Sequence, residues 1–205
     1  MMTGNPSLVD DAFAAWLEEA TMWQFLHDLF RAPSDAQWAW LKEAWVGSVW
    51  EVLAMRLDST LPRRLPLPVT PEAYEQEYLA TFEVGLPHPP CPLIESHWNR
   101  REPVSHVLHE NTLFYQRFGL ALRSRETADH LRHQLEFLHY LCCRAAKETD
   151  LVEQIAWARA DYIERRLLTW VPLAAERLSD LAPDTWASAW MRLLSACGTT
   201  AHLFL

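Results

Sequence analysis

Leu131, Leu135, Leu138 and Cys142 recur at steps of four, three and four residues, in a stretch free of proline and glycine. That spacing puts all four on one face of an α-helix, and the same pattern runs through most of the chain. Phe13, Trp16, Leu17, Ala20, Trp23, Leu26 and Phe30 follow it, and so do Trp38, Leu41, Trp45, Val49 and Val52. Tyr74, Tyr78 and Phe82 lie four apart. Ile155, Tyr162, Ile163, Leu167 and Trp170 form a further stripe, and Trp186, Trp190 and Leu194 the last. A chain patterned in this way buries helix against helix. Its five glycines and eleven tryptophans, with few runs of β-branched residues, fit helices packed through bulky aromatic side chains. At 205 residues, half of them hydrophobic, one all-α domain over 1–205 is expected.

Local signals punctuate the helices. Ser7 with Asp10 and Ser34 with Gln37 read as capping boxes, and Asp150 with Glu153 as a further start. Thr70-Pro71 is an N-cap followed by proline at the first helical position. Gly119 and Gly198 read as helix stops, and Gly85 as a residue leaving its helix through positive φ. Leu61–Pro71, with its prolines, is a linker. Val84–Pro103, VGLPHPPCPLIESHWNRREP, is too proline-rich for a helix. Its Leu93, Ile94 and Trp98 argue for order, so it is expected as an ordered loop at 84–103 laid across the helices.

The stretch Arg125–Leu141 carries the densest polar chemistry. Projected as a helix, it sets Asp129, His133, Glu136 and Tyr140 opposite the leucine face, with His130 at the border. An acid–imidazole pair at the mouth of a cleft would suit a polar ligand. The other reading is a capped surface helix with solvated charges.

Several function classes lose support. A net charge of -9 repels a phosphate backbone, which disfavours nucleic acid and favours a basic partner. Cys91, Cys142, Cys143 and Cys197 form no C-x-x-C pair, so reduced thiols and a cytoplasmic location are expected. MMTGNPSLVDDAF lacks the basic and apolar segments of a signal peptide, and no stretch is long and apolar enough for membrane insertion. The phosphate-loop, dinucleotide and nucleophile-elbow motifs are absent. A helical metal-dependent enzyme using His130, His133 and Glu136, faced by His106 and His109, is one alternative. A generic helical interaction module is another.

Three stretches resemble the TorD/DmsD/NarJ family, chaperones of exported molybdenum enzymes. The first is Tyr78-x-x-x-Phe82-x-x-Gly85, followed by the proline-rich loop with Pro92-Leu93 and Glu95-Ser96. The second is Glu126-x-x-Asp129-His130, running on through Leu131 to Leu138. The third is Tyr162-Ile163 through Leu167 to Trp170-x-Pro172. Thr127 stands where the family usually has proline, and Arg166 where a histidine is common. The loop looks most like that of chaperones serving dehydrogenases and nitrate reductases of the DMSO-reductase superfamily. The resemblance implies a helical bundle of the TorD/DmsD type, with no catalysis and no cofactor of its own. It implies binding of an apo molybdoenzyme catalytic subunit and its twin-arginine leader until the molybdenum cofactor is inserted. On that basis Glu126 and Asp129 would meet the basic part of the leader, and His130 would shape the mouth of the groove. Leu93 and Trp98, beside Glu95 and Ser96, would contact the apolar part, and Gly85 and Pro87 would set the loop's path. A monomer or a domain-swapped dimer is compatible with the connectors.

Overall fold

A computed structural model describes residues 6–123 and 127–203, with side chains from 13 to 123 and from 127 to 201. Ten α-helices occur among the described residues: α1 Pro6–Leu29, α2 Asp35–Leu41, α3 Ala44–Leu57, α4 Pro71–Tyr78, α5 Glu95–Trp98, α6 Val104–Arg117, α7 Leu131–Lys147, α8 Val152–Tyr162, α9 Val171–Leu181 and α10 Trp186–Leu203. No strand is present among them, so the all-α expectation holds. None of the described helices is long and apolar enough to cross a membrane.

The leucine-faced helix is the centre of the core. Leu131, Leu135, Leu138 and Cys142 are fully buried, and Phe137 and Leu141 widen their face. α7 lies antiparallel against α1, its longest partner. Arg132 sits within 3.5 Å of His27, and His139 Nδ1 is 2.8 Å from the Ala20 carbonyl. A second cluster joins α4, α10 and the end of α1. Trp186 and Trp190 pack at 4.5 Å, and Tyr74, Tyr78, Phe82 and Phe30 close around them. The Tyr78 hydroxyl donates to the Phe30 carbonyl at 3.1 Å, which lets a phenol be buried without an orphaned polar atom.

Several local expectations are corrected. The stripe from Trp38 to Val52 is broken at Lys42–Glu43, and the break resets the helical phase. Val46, Trp50 and Ala54 now face inward, while Trp45 and Val52 are about half exposed. Ser34 caps α2 by accepting from the Gln37 amide, but the Gln37 side chain donates to the Asp28 carbonyl instead of closing the box. The N-cap of α8 is Leu151, with no side-chain cap from Asp150. The Ser7 and Asp10 side chains lie outside the described residues. Gly198 does not stop α10, which runs on to Leu203. A Cβ there would meet Leu168 and Leu167 at 3.3 and 3.4 Å, so close approach of the π turn beside it explains the glycine. Gly119, at φ +76°, does end its helix as expected.

Gly85 is not in the positive-φ region; among the described glycines only Gly119 is. Its constraint is space. A Cβ at Gly85 would lie 2.4 Å from the His88 carbonyl oxygen and 2.6 Å from Pro89 Cα. Backbone cannot yield as a side chain would, so Gly85→Ala should shift the loop and cost about 1–3 kcal/mol by overpacking. Gly47→Ala, with nothing within 4 Å inside α3, should instead stabilise by about 0.5–1 kcal/mol. Urea unfolding of the two variants checks the contrast; equal effects would remove the steric account of Gly85.

Candidate functional site

The proline segment and the start of α7 are joined through their backbones. Ile94 and His130 form an isolated antiparallel bridge. The Leu131 amide donates to the Leu93 carbonyl at 2.9 Å, and the Glu95 amide to the Asp129 carbonyl at 3.0 Å. The Asp129 carboxylate accepts from the Ser96 amide at 3.0 Å. The segment is therefore ordered across the helices, as expected, but it also makes the short helix α5 after its last proline-rich turn.

This stitching places some of the expected site residues inside the protein. Leu93, Glu95 and Asp129 are buried, and Asp129 is not on the polar face of α7 because the helix begins only at Leu131. These three hold the loop from within and have almost no surface open to solvent. Gly85 and Pro87 are exposed, and Ser96, Trp98 and His130 are half-buried. Glu126 lies outside the described residues.

Beneath the segment is a buried polar network. Glu95, fully inaccessible, accepts from the Asn111 side chain at 2.9 Å and from Gln134 at 2.7 Å. Arg166, only 3% exposed, comes within 3.3 Å of the other Glu95 oxygen and donates to Glu102 at 2.8 Å. Tyr162 donates to Asn111 at 2.7 Å, and Trp170 to Gln134 at 3.1 Å. A π turn, Ile163–Leu167, carries Arg166; the Leu168 amide reaches back to the Ile163 carbonyl at 2.9 Å. Such widened turns re-aim side chains, here a guanidinium toward the interior. Burial pushes the Glu95 carboxyl up to about 7, against the pull of Asn111 and Arg166.

Outside the network, a hollow of about 570 Å³ opens at the N-terminus of α7. His27, Arg123, His130, Arg132 and His133 line it, with Glu136 the one carboxylate among the described lining residues. His130 is the N-cap: its Nδ1 accepts from the Arg132 amide at 3.2 Å. An accepting Nδ1 leaves the proton on Nε2, so the ring offers a donor as its other polar atom. Burial, aided by His133 and Arg132, holds this imidazole down at about 4, which keeps it neutral at pH 7. The hollow is thus rich in donors, and the expected acidic floor for an arginine is not what Asp129–His130 provides. Its chemistry suits carbonyls and carboxylates. Among the described residues no three His, Cys, Asp or Glu side chains converge as metal ligands.

The Glu95–Arg166 pair was missed by the sequence reading. Two signals were available: Gln134 interrupts the leucine face of α7, and Asn111 interrupts the Val107–Phe114–Tyr115 face of α6. Polar residues in the middle of apolar stripes need buried partners.

Residues 48–176 match the model of the nitrate reductase delta subunit family. The chain is 32% identical over 126 residues to a perchlorate reductase assembly chaperone protein of Dechloromonas aromatica (strain RCB), covering 59% of this chain and 56% of the relative. It is 34% identical over 115 residues to a selenate reductase assembly chaperone protein of Thauera selenatis, covering 54% and 60%. It is 33% identical over 112 residues to a chlorate reductase assembly chaperone protein of Ideonella dechloratans, covering 52% and 58%. The match therefore spans a little over half the length of each relative. A solved structure of a putative redox enzyme maturation protein from Archaeoglobus fulgidus aligns with a TM-score of 0.42 at 18% identity, over 79% of this chain and 93% of the other.

Proposed function

We propose, from the premise that this chain belongs to the nitrate reductase delta subunit family and is of the TorD/DmsD/NarJ type, that it is a non-catalytic assembly chaperone for a molybdenum-containing reductase. It holds the apo catalytic subunit by an extended segment, the twin-arginine leader, until the client's molybdenum cofactor is inserted. The observation that carries the binding site is the join of the proline segment to His130. On one side it leaves the donor-lined hollow; on the other it leaves Val84 and Leu86 exposed beside Pro87. An unfolded segment offers main-chain carbonyls, and the His130 Nε2–H is a donor for them. The leader's apolar stretch packs on Leu86, Pro87 and Trp98, with part of its burial energy set by Leu86, which is fully solvent-exposed in the free protein. The leader's arginines pair with Glu136, a mostly exposed carboxylate, and with Glu126.

Calorimetric titration with a synthetic twin-arginine leader of a molybdenum-containing reductase tests the reading. His130→Ala and the pair Leu86→Ala, Trp98→Ala should each weaken binding at least tenfold, with the helical circular-dichroism signal unchanged. Wild-type affinity in both variants would remove this surface from leader recognition.

A further inference from the structure

A second hollow, of about 310 Å³, lies on the other flank of the proline segment. Pro87, His88, Pro90, His97, Arg100 and Arg177 are among its lining residues, and the Trp98 ring forms one wall. We propose that it docks an acidic stretch of a partner polypeptide, whose carboxylates are taken by Arg100 and Arg177.

The charge pattern is the first argument. The chain carries 27 acidic residues against 18 lysines and arginines, yet among the described residues no carboxylate lines this hollow. Elsewhere Arg31, Arg144, Arg165 and Arg192 each lie within 4.0 Å of an acidic side chain. Among the described residues neither Arg100 nor Arg177 does, although both are exposed. The neighbouring acids are turned elsewhere. Glu102 is bound by Arg166 and His106, and Glu176 lines a different hollow with Ser179 and Arg192. The His88 and His97 rings meet at 5.1 Å, and burial together with His88 and Arg100 depresses the basicity of His97. The field in the hollow is positive.

The lining also selects the kind of anion. Three of the residues around it are prolines, which have no N–H. The run 87–90 therefore cannot supply the consecutive backbone amides of a phosphate cradle. What remains are two guanidinium forks, which match carboxylates two bonds at a time. Proline faces and the Trp98 ring, pinned by its Nε1–H to the Pro92 carbonyl at 2.9 Å, cover the aliphatic stems of Glu side chains. The hollow shares Pro87 and Trp98 with the surface proposed for the leader's apolar stretch, but its charged residues, Arg100 and Arg177, take no part in that reading.

The test is fluorescence anisotropy of a labelled ten-residue peptide of alternating Glu and Ala, titrated with the full chain. Binding is expected, and the double variant Arg100→Glu, Arg177→Glu should weaken it at least tenfold. The neutral pair Arg100→Gln, Arg177→Gln should weaken it less, in the same direction. Charge reversal of the exposed Arg63 and Arg64, which do not line the hollow, should leave affinity within twofold. A Lys–Ala peptide should not bind, and phosphate should compete no better than chloride at equal ionic strength. The proposal is overturned if the Glu–Ala peptide does not bind, or if both reversed pairs lose affinity equally. Phosphate displacing the peptide ahead of chloride would overturn it too, since that marks a small-oxyanion site.

Discussion

Replacing Arg166 by Met is expected to lower the unfolding free energy by about 3–5 kcal/mol, the usual cost of removing one partner from a buried ion pair. For a chain of this size that is roughly 10 °C in Tm. The reason is the Glu95 carboxylate, which has no exposed surface and no route to water. Asn111 and Gln134 still donate to one of its oxygens, but the other faces the Arg166 guanidinium at 3.3 Å. Glu102 loses the same guanidinium at little cost, because it is partly exposed and keeps Asn99 and His106. Met fills most of the vacated volume, so a cavity is not the main loss. Glu95 can escape by taking up a proton, so the penalty should be smaller at pH 5.5 than at pH 8. Adding Glu95→Gln to the variant should restore part of the stability, which isolates the pair as a coupling in a double-mutant cycle. Urea unfolding of the four proteins checks this. A penalty that is the same at both pH values and unrelieved by Glu95→Gln would show that packing, not charge, holds Arg166 in place.

That pair also helps fix the segment Val84–Pro103, which lines the arginine hollow and meets, through the Ile94–His130 bridge, a residue of the other hollow. Glu95 and Asp129 anchor one short length of it from below, so the residues on either flank keep their exposure without collapsing onto the helices. Loosening the anchor should therefore reach the leader surface and the arginine hollow together.

The helical plan was legible because its signal is periodic and repeated. Leu131, Leu135, Leu138 and Cys142 had to share a face, and Tyr74, Tyr78 and Phe82 did so as well. Thr70-Pro71 and Gly119 act through backbone chemistry that one residue dictates, and they behave as read. The site was less legible because its residues change role with a one-turn error. Extending the α7 projection back over 127–130 put Asp129 on a surface, whereas the chain there turns and His130 caps the helix. Arg166 looked like a mere departure from a family pattern, since nothing local says that a π turn will aim it at a loop 71 residues earlier in the chain, at Glu95. The partners of a buried charge come from long-range contacts, and spacing along one helix does not encode them.

The pH dependence of stability between about 4.5 and 6.5 should be shallower in the unaltered protein than in one lacking His130 or Glu95, because these two buried groups pull it in opposite directions. The Glu95 carboxyl is raised from an ordinary 4.5 to about 7, so the folded chain holds a proton that the unfolded chain has lost. Its contribution is fully present below the unfolded value and drains away as pH climbs toward 7. The His130 imidazole is lowered from 6.5 to about 4, so here the unfolded chain binds the proton. Its contribution is present above 6.5 and is lost as pH falls toward 4. Each shift corresponds to about 3.4 kcal/mol over its full window, which is large against the stability of a typical chain. Removing one should expose the other. Glu95→Gln should leave a protein whose unfolding free energy rises by about 2–3 kcal/mol between pH 4.5 and 6.5. His130→Gln should leave one whose stability falls by a similar amount from pH 5 to 7. Chemical denaturation across that range distinguishes them, since the two slopes must carry opposite signs. Slopes of the same sign, or profiles that match the unaltered protein, would mean that the anchor beneath the loop and the cap above it do not carry the protonation states assigned to them.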